Sequence, residues 1–188
     1  AVAGILGDNF VSRVTGGAWR KAMPPAAKPP VQRSAKGDPV VYFPTCGGRI
    51  FGPADGADMQ LGDVIQELLI RAGYAPILPE SFENLCCGQM LASKGLLEDA
   101  EELSNTLEAA LMKASDNGRI PVIMDASACS TRMQKHLAGR LKLYDFHEFA
   151  HDALLPRLMI TPQPGPVALH VNCSVKRTGA DGKLRALL

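Results

Sequence analysis

Short continuous apolar runs alternate along this chain with longer stretches in which apolar residues recur every three or four positions. PVVYFPTC (39–46), APILP (75–79) and IPVIMD (120–125) are apolar runs bounded by turn residues, which predicts buried strands. LKLYDF (141–146) predicts a shorter fourth strand and PVALHVNC (166–173) a fifth. Between the first two runs, Leu61, Val64, Ile65, Leu68, Leu69 and Ala72 mark a helix closed by Gly73. Leu96, Leu97, Ala100, Leu103, Leu107 and Leu111 mark a second, longer helix ended by Asn117-Gly118. A third opens near Cys129, with Asp125 the candidate cap. FHEFAHDALL (146–155) reads as a fourth, stopped at Pro156.

Apolar strands that alternate with amphipathic helices predict an α/β fold. The expected form is a mostly parallel sheet flanked by helices, a Rossmann-like arrangement in three layers. Residues 1–36 differ from the rest. Phe10, Val11, Val14 and Trp19 could line one side of a short helix, and MPPAAKPPVQRSAKG then reads as an extended, Pro-rich linker. The expected organisation is an N-terminal helical and Pro-rich arm over 1–36 and a cysteine-rich α/β domain over 38–188.

In parallel sheets, sites gather at the carboxyl ends of the strands. Cys46 and Cys173 close predicted strands, Cys129 follows another by four residues, and Cys86-Cys87-Gly88 follows the second strand. The fold thus draws distant thiols to one edge. Thiolates are soft ligands that suit iron–sulfur clusters or zinc, and helix N-termini stabilise their charge. Vicinal cysteines can reach two metal atoms of one cluster, whereas a tetrahedral zinc more often uses CxxC spacing. Gly88 would allow close backbone approach or a positive φ. The plainer reading is that free cysteines are small buried hydrophobes. Zinc or no metal would make the domain a structural or docking module for a partner redox subunit. Thiol–disulfide chemistry at Cys86-Cys87 ranks below both, because a vicinal disulfide is strained.

Other residues weigh less. His170, in HVNC, is a candidate cluster ligand or hydrogen-bond donor, or a satisfied core histidine. Gly47 belongs to a glycine-rich loop that is not a dinucleotide fingerprint. His147 and His151 share a helix face, with a solvated face the plainer reading. Arg49 and Arg132, near the cysteines, could offset cluster charge or stand at the surface.

Composition narrows the classes. A formal net charge of +1 over 188 residues gives no basic stripe for nucleic acid. No apolar run approaches the roughly 20 residues of a membrane span. Five cysteines, an odd number, fit an intracellular reduced chain better than a disulfide framework. The termini read as cuts within a longer protein.

The segments VVYFPTCGGRIFGP, NLCCGQMLASKG, MDASACSTRM, LKLYDFHEFAHD and VALHVNCSVKRTGADGKL together resemble the cysteine-rich CCG domains. The similarity is to the C-terminal iron–sulfur region of bacterial FAD-linked D-lactate dehydrogenases. It extends to the iron–sulfur subunits of glycolate oxidase and anaerobic glycerol-3-phosphate dehydrogenase and to the CCG-containing chain of heterodisulfide reductase. The resemblance covers roughly residues 38–188. It implies metal ligation by Cys46, Cys86, Cys87, Cys129 and Cys173 of an iron–sulfur cluster such as 4Fe-4S. It implies electron transfer from FAD in another part of the protein, through a ferredoxin-like segment, to a quinone or cytochrome acceptor. It also implies a cytoplasmic place, or one peripheral at the inner face of the membrane. One departure matters: the usual final CxxC is Cys129-Ser130-Thr131-Arg132 here. Cys173 resembles the first cysteine of a second repeat whose own CCG would lie beyond Leu188.

Overall fold

Among the described residues, four strands form one sheet, and every pairing within it is parallel. β1 (Asp38–Phe43) and β3 (Val122–Met124) are the interior strands, while β2 (Tyr74–Ile77) and β4 (Leu143–Asp145) flank them in the order β2-β1-β3-β4. Val41 sits beside Ile77 on one side and Val122 on the other. The helices are α1 (Cys46–Ile50), α2 (Leu61–Arg71), α3 (Gln89–Ala92), α4 (Leu97–Ala114), α5 (Ser127–Leu137), α6 (Phe146–Phe149), α7 (Cys173–Thr178) and α8 (Asp181–Ala186). This computed structural model describes residues 25–53, 57–161 and 164–188, and the helix expected over Phe10–Trp19 lies outside them.

Successive residues of β1 serve opposite faces. Val40 and Tyr42 join Ile123, and Ile65 and Leu69 of α2 complete that core with Tyr74, Phe149 and Leu154. Val41 and Phe43 join Val122 and Met124 on the other face, against Leu107 and Leu111 of α4 and Met133 and Leu137 of α5. The result is the expected α/β arrangement with helices on both sides of a parallel sheet. Burying each such side chain stabilises by about 1.5–3 kcal/mol relative to leaving it exposed. From β1 the chain passes to one side, to β2, then crosses back to β3 on the other. The loops leaving β1 and β3 therefore diverge, which places a crevice at their carboxyl ends.

Four sequence expectations need correction. Gly47 is not in a loop: the glycine-rich stretch after β1 begins as the helix α1, Cys46–Ile50. PVALHVNC (166–173) is not a fifth strand: residues 166–172 join no sheet among the described residues, and Val167 is 65% exposed. An apolar run becomes a strand only where a free edge and covering layers meet it, and this one meets neither. Asp125 does not cap α5; Ala126 occupies that position. The Asp125 carboxylate instead accepts from the β1 loop. His147 is not on a solvated face but buried, because α6 packs across the sheet. α6 continues as a π turn (Ala150–Leu154) and a 3-10 turn (Leu155–Arg157).

The extended segment before β1 is tied along α2 and β2. Gln66 accepts from the Arg33 N–H and donates to the Val31 carbonyl, while Gln32 donates to the Pro76 carbonyl and accepts from the Leu78 N–H. Arg33 also pairs with Glu67 at 3.0 Å. No described helix is long and apolar enough to cross a membrane.

Candidate functional site

Four of the five cysteines follow the carboxyl ends of β1, β2 and β3. Pro44 and Thr45 lead from β1 into Cys46, the first residue of α1. Cys86 and Cys87 follow β2 by way of a 3-10 turn (Phe82–Asn84), and Gly88 caps α3. Cys129 lies in the first turn of α5, behind β3. All are free thiols; Cys87 and Cys129 are buried, while Cys46 and Cys86 are partly exposed.

Three of these thiols, Cys46, Cys87 and Cys129, respond to neighbouring thiols. Burial pushes the Cys46 thiol up, and the nearby Cys86 and Cys87 push it further. The neighbouring Cys129 thiol pulls Cys87 well below the ordinary thiol range, assisted by the Gln89 N–H and the Arg132 charge. The Cys87 sulfur, together with burial, pushes Cys129 up. The Gly88 N–H donates to Cys86 Sγ at 3.4 Å.

The loop carrying the vicinal pair is clamped from both sides. The Cys87 carbonyl accepts from Ser104 Oγ of α4 at 3.0 Å and from Arg132 Nε of α5 at 2.7 Å. Arg49 of α1 donates to the carbonyls of Phe82 and Leu85 and lies over the Phe43 ring. Both arginines weighed as charge partners thus stand at the site and lower neighbouring thiols, Arg49 acting on Cys46 and Arg132 on Cys87. Gly88 has φ +73, and a Cβ there would stand 2.3 Å from the Ala100 carbonyl oxygen. Its place in the motif is therefore steric as well as conformational.

Asp125, at the end of β3, joins the two diverging loops. Its carboxylate accepts from the Tyr42 hydroxyl at 2.8 Å and the Thr45 N–H at 2.9 Å. Burial nevertheless holds its carboxyl above the usual carboxylate range, and burial with the Asp125 charge pushes the Tyr42 phenol up. Gly48 is confined by this carboxylate, whose Oδ2 lies 2.8 Å from the site of a Cβ, whereas Gly47 faces open space.

The remaining candidates stand apart from the four thiols. Cys173 is exposed at the start of α7, and His170 is exposed on the unpaired stretch before it. Cys173 still repeats the local design of Cys46: each lies seven residues after a proline and begins a helix. The preceding caps match too, Thr45 at φ −72, ψ 166 and Asn172 at φ −72, ψ 164. His147 Nδ1 lies 2.6 Å from Asp145, whose other oxygen accepts from Ser130 Oγ at 2.9 Å. His151 instead meets Asp152. Among the described residues, no three His, Cys, Asp or Glu side chains are placed to hold a single metal ion.

Sequence reasoning missed Ala100 and Ser104. Their signal was present: two small residues at i, i+4 on a helix otherwise rich in leucine, where another backbone could approach.

The Cys87–Cys129 pair has a measurable consequence. In metal-free protein one thiol should ionise below the ordinary thiol range, read as ultraviolet thiolate absorbance. Cys129→Ala removes the neighbouring thiol and should return that step toward the ordinary range of about 8.5. Because the folded pKa is depressed, the associated stability is fully present above the ordinary thiol range. It is lost as pH falls through the depressed thiol pKa. The denaturation midpoint should accordingly fall across this interval more in the native sequence than in the variant.

Comparison of the chain with protein-family models, curated proteins and solved structures found no match.

Proposed function

We propose that Cys46, Cys86, Cys87 and Cys129 hold an iron–sulfur cluster, and that the chain is an electron-transfer part of an FAD-linked 2-hydroxyacid dehydrogenase. The observation that carries this reading is the convergence of four free thiols from three strand ends onto one sheet edge. The donor set is entirely soft sulfur, which suits iron–sulfur clusters and disfavours hard cations. Ligands of a multinuclear cluster bind different metal atoms, so they need not close around one point.

When bound, such a cluster takes up and releases single electrons at a potential set by charge, hydrogen bonding and burial. The chain's own residues would tune those terms. Cys87 enters as a ready thiolate, and the N–H groups of Gly88 and Gln89 address sulfur. Arg49 and Arg132 offset negative charge, while Phe43, Leu85 and Met124 keep water from the inner side. The clamped loop limits reorganisation, which favours rapid electron transfer.

The flavin domain and the ferredoxin-like segment are the proposed electron source, D-lactate the favoured substrate, and a quinone or cytochrome the acceptor. On this reading the chain alone does not oxidise lactate. Anaerobic reconstitution with iron and sulfide tests the assignment. The expected product is brown, carries iron and sulfide in stoichiometric amounts, and gives an EPR signal in one oxidation state. A colourless protein that takes up stoichiometric zinc and no iron would replace this reading with the structural or docking module.

A further inference from the structure

Beside the thiol edge lies a cavity of about 610 Å³. It opens between α5 and α7, with Gln89 and Glu101 closing one side. Its size falls within the range of small-molecule sites. Three permanent cations, Arg132, Lys135 and Arg177, face one carboxylate, that of Glu101. Glu101 is already engaged, at 2.9 Å from His136 Nδ1 and 3.5 Å from the Arg132 guanidinium. His136 Nε2 meets a second carboxylate, Glu108, at 2.8 Å. Lys135 and Arg177, by contrast, make no ion pair or side-chain hydrogen bond among the described residues, which leaves their charge available to a ligand.

The rest of the lining suits oxyanions. The Ser174 hydroxyl and the Gln89 amide supply neutral donors around the cations, while the Thr131 hydroxyl is spent on the Ser127 carbonyl. Arg132 is fixed rather than mobile, because its Nε is held by the Cys87 carbonyl and Ser104 Oγ. Its terminal nitrogens thus reach the cavity from a preorganised base, and a guanidinium so held suits a carboxylate or phosphate fork. A concave wall with excess charge of one sign concentrates counter-ions of the other.

We propose that this cavity binds a small molecule with two or more oxyanion groups, phosphate or carboxylate. Arg132 would anchor one group and Lys135 with Arg177 the next. The proposal does not require a cluster at the thiols, so its success or failure is independent of that assignment.

Calorimetric titration of the whole chain at low salt, with inorganic pyrophosphate and separately with tricarballylate, tests it. The expected result is one saturable site per chain that weakens as salt is added. K135A/R177A should lose at least tenfold in affinity with its thermal midpoint unchanged, since both side chains are exposed and make no ion pair among the described residues. Lys142→Ala, an exposed lysine outside the cavity, should bind as the native chain does. Whichever probe binds more tightly tells phosphate from carboxylate. Saturable binding of neither probe, or binding that survives in K135A/R177A, overturns the proposal.

Discussion

Serine in place of Cys46, Cys86, Cys87 or Cys129 is expected to reduce iron loading from stoichiometric to near zero, while Cys173→Ser leaves it unchanged. The exchange is nearly isosteric but replaces a soft, ionisable sulfur with a hard hydroxyl that does not ionise near neutral pH. Cys46, Cys87 and Cys129 each respond to a neighbouring thiol, Cys86 sits beside Cys87 in the same loop, and Cys173 lies exposed at the start of α7. Cys87 should be the most sensitive position. It is 3% exposed and supplies the ready thiolate, and its carbonyl anchors the loop through Ser104 and Arg132. Retention of the far-ultraviolet circular dichroism would separate lost ligation from lost fold. Iron content, inorganic sulfide and EPR of the reconstituted variants give the answer. A loaded C87S, or loss confined to C173S, would move the centre away from this sheet edge.

The interior of the fold was legible because its signal is local. β1, β2 and β3 are apolar on both sides, and Ile65 with Leu69 or Leu107 with Leu111 repeat at helical spacing toward those strands. The convergence of Cys46, Cys86-Cys87 and Cys129 followed from that layout alone. What failed depended on partners. PVALHVNC has the length, the leading proline and the closing cysteine of PVVYFPTC, and its helix cap has nearly the same backbone angles. Only the neighbouring strands distinguish the two, and sequence pattern does not carry them. The long helix shows the same limit at finer scale. Leucine spacing pointed inward at Leu96 and Leu97, yet these are 48% and 65% exposed. The face that touches the site is instead made of Ala100 and Ser104, chosen for the space they leave. His147 lay hidden for a related reason: its partners, Asp145 and through it Ser130, come from different elements.

That space gives the largest expected effect on stability. Gly88→Ala should destabilise the metal-free protein by about 3 kcal/mol or more, from two separate costs. A left-handed backbone disfavours any residue with a Cβ by roughly 1–2 kcal/mol, and Gly88 sits at φ +73. Overpacking typically adds about 1–3 kcal/mol. Here the new methyl would stand 2.3 Å from the Ala100 oxygen and 2.9 Å from its Cα, main-chain atoms of a helix that cannot swing aside. For a chain of this size each kcal/mol moves the thermal midpoint by about 2–4 °C, so a fall of roughly 6–12 °C is expected. Two companion variants isolate the cause. Gly47→Ala, at a site glycine that faces open space, should be neutral or slightly stabilising within α1. Ala100→Gly combined with Gly88→Ala should give no rescue, because the obstruction is backbone and not the Ala100 methyl. Calorimetric midpoints of the three settle the matter: a Gly88→Ala midpoint within a degree of the native one, or recovery in the double variant, would mean that the loop does not rest on α4 as described.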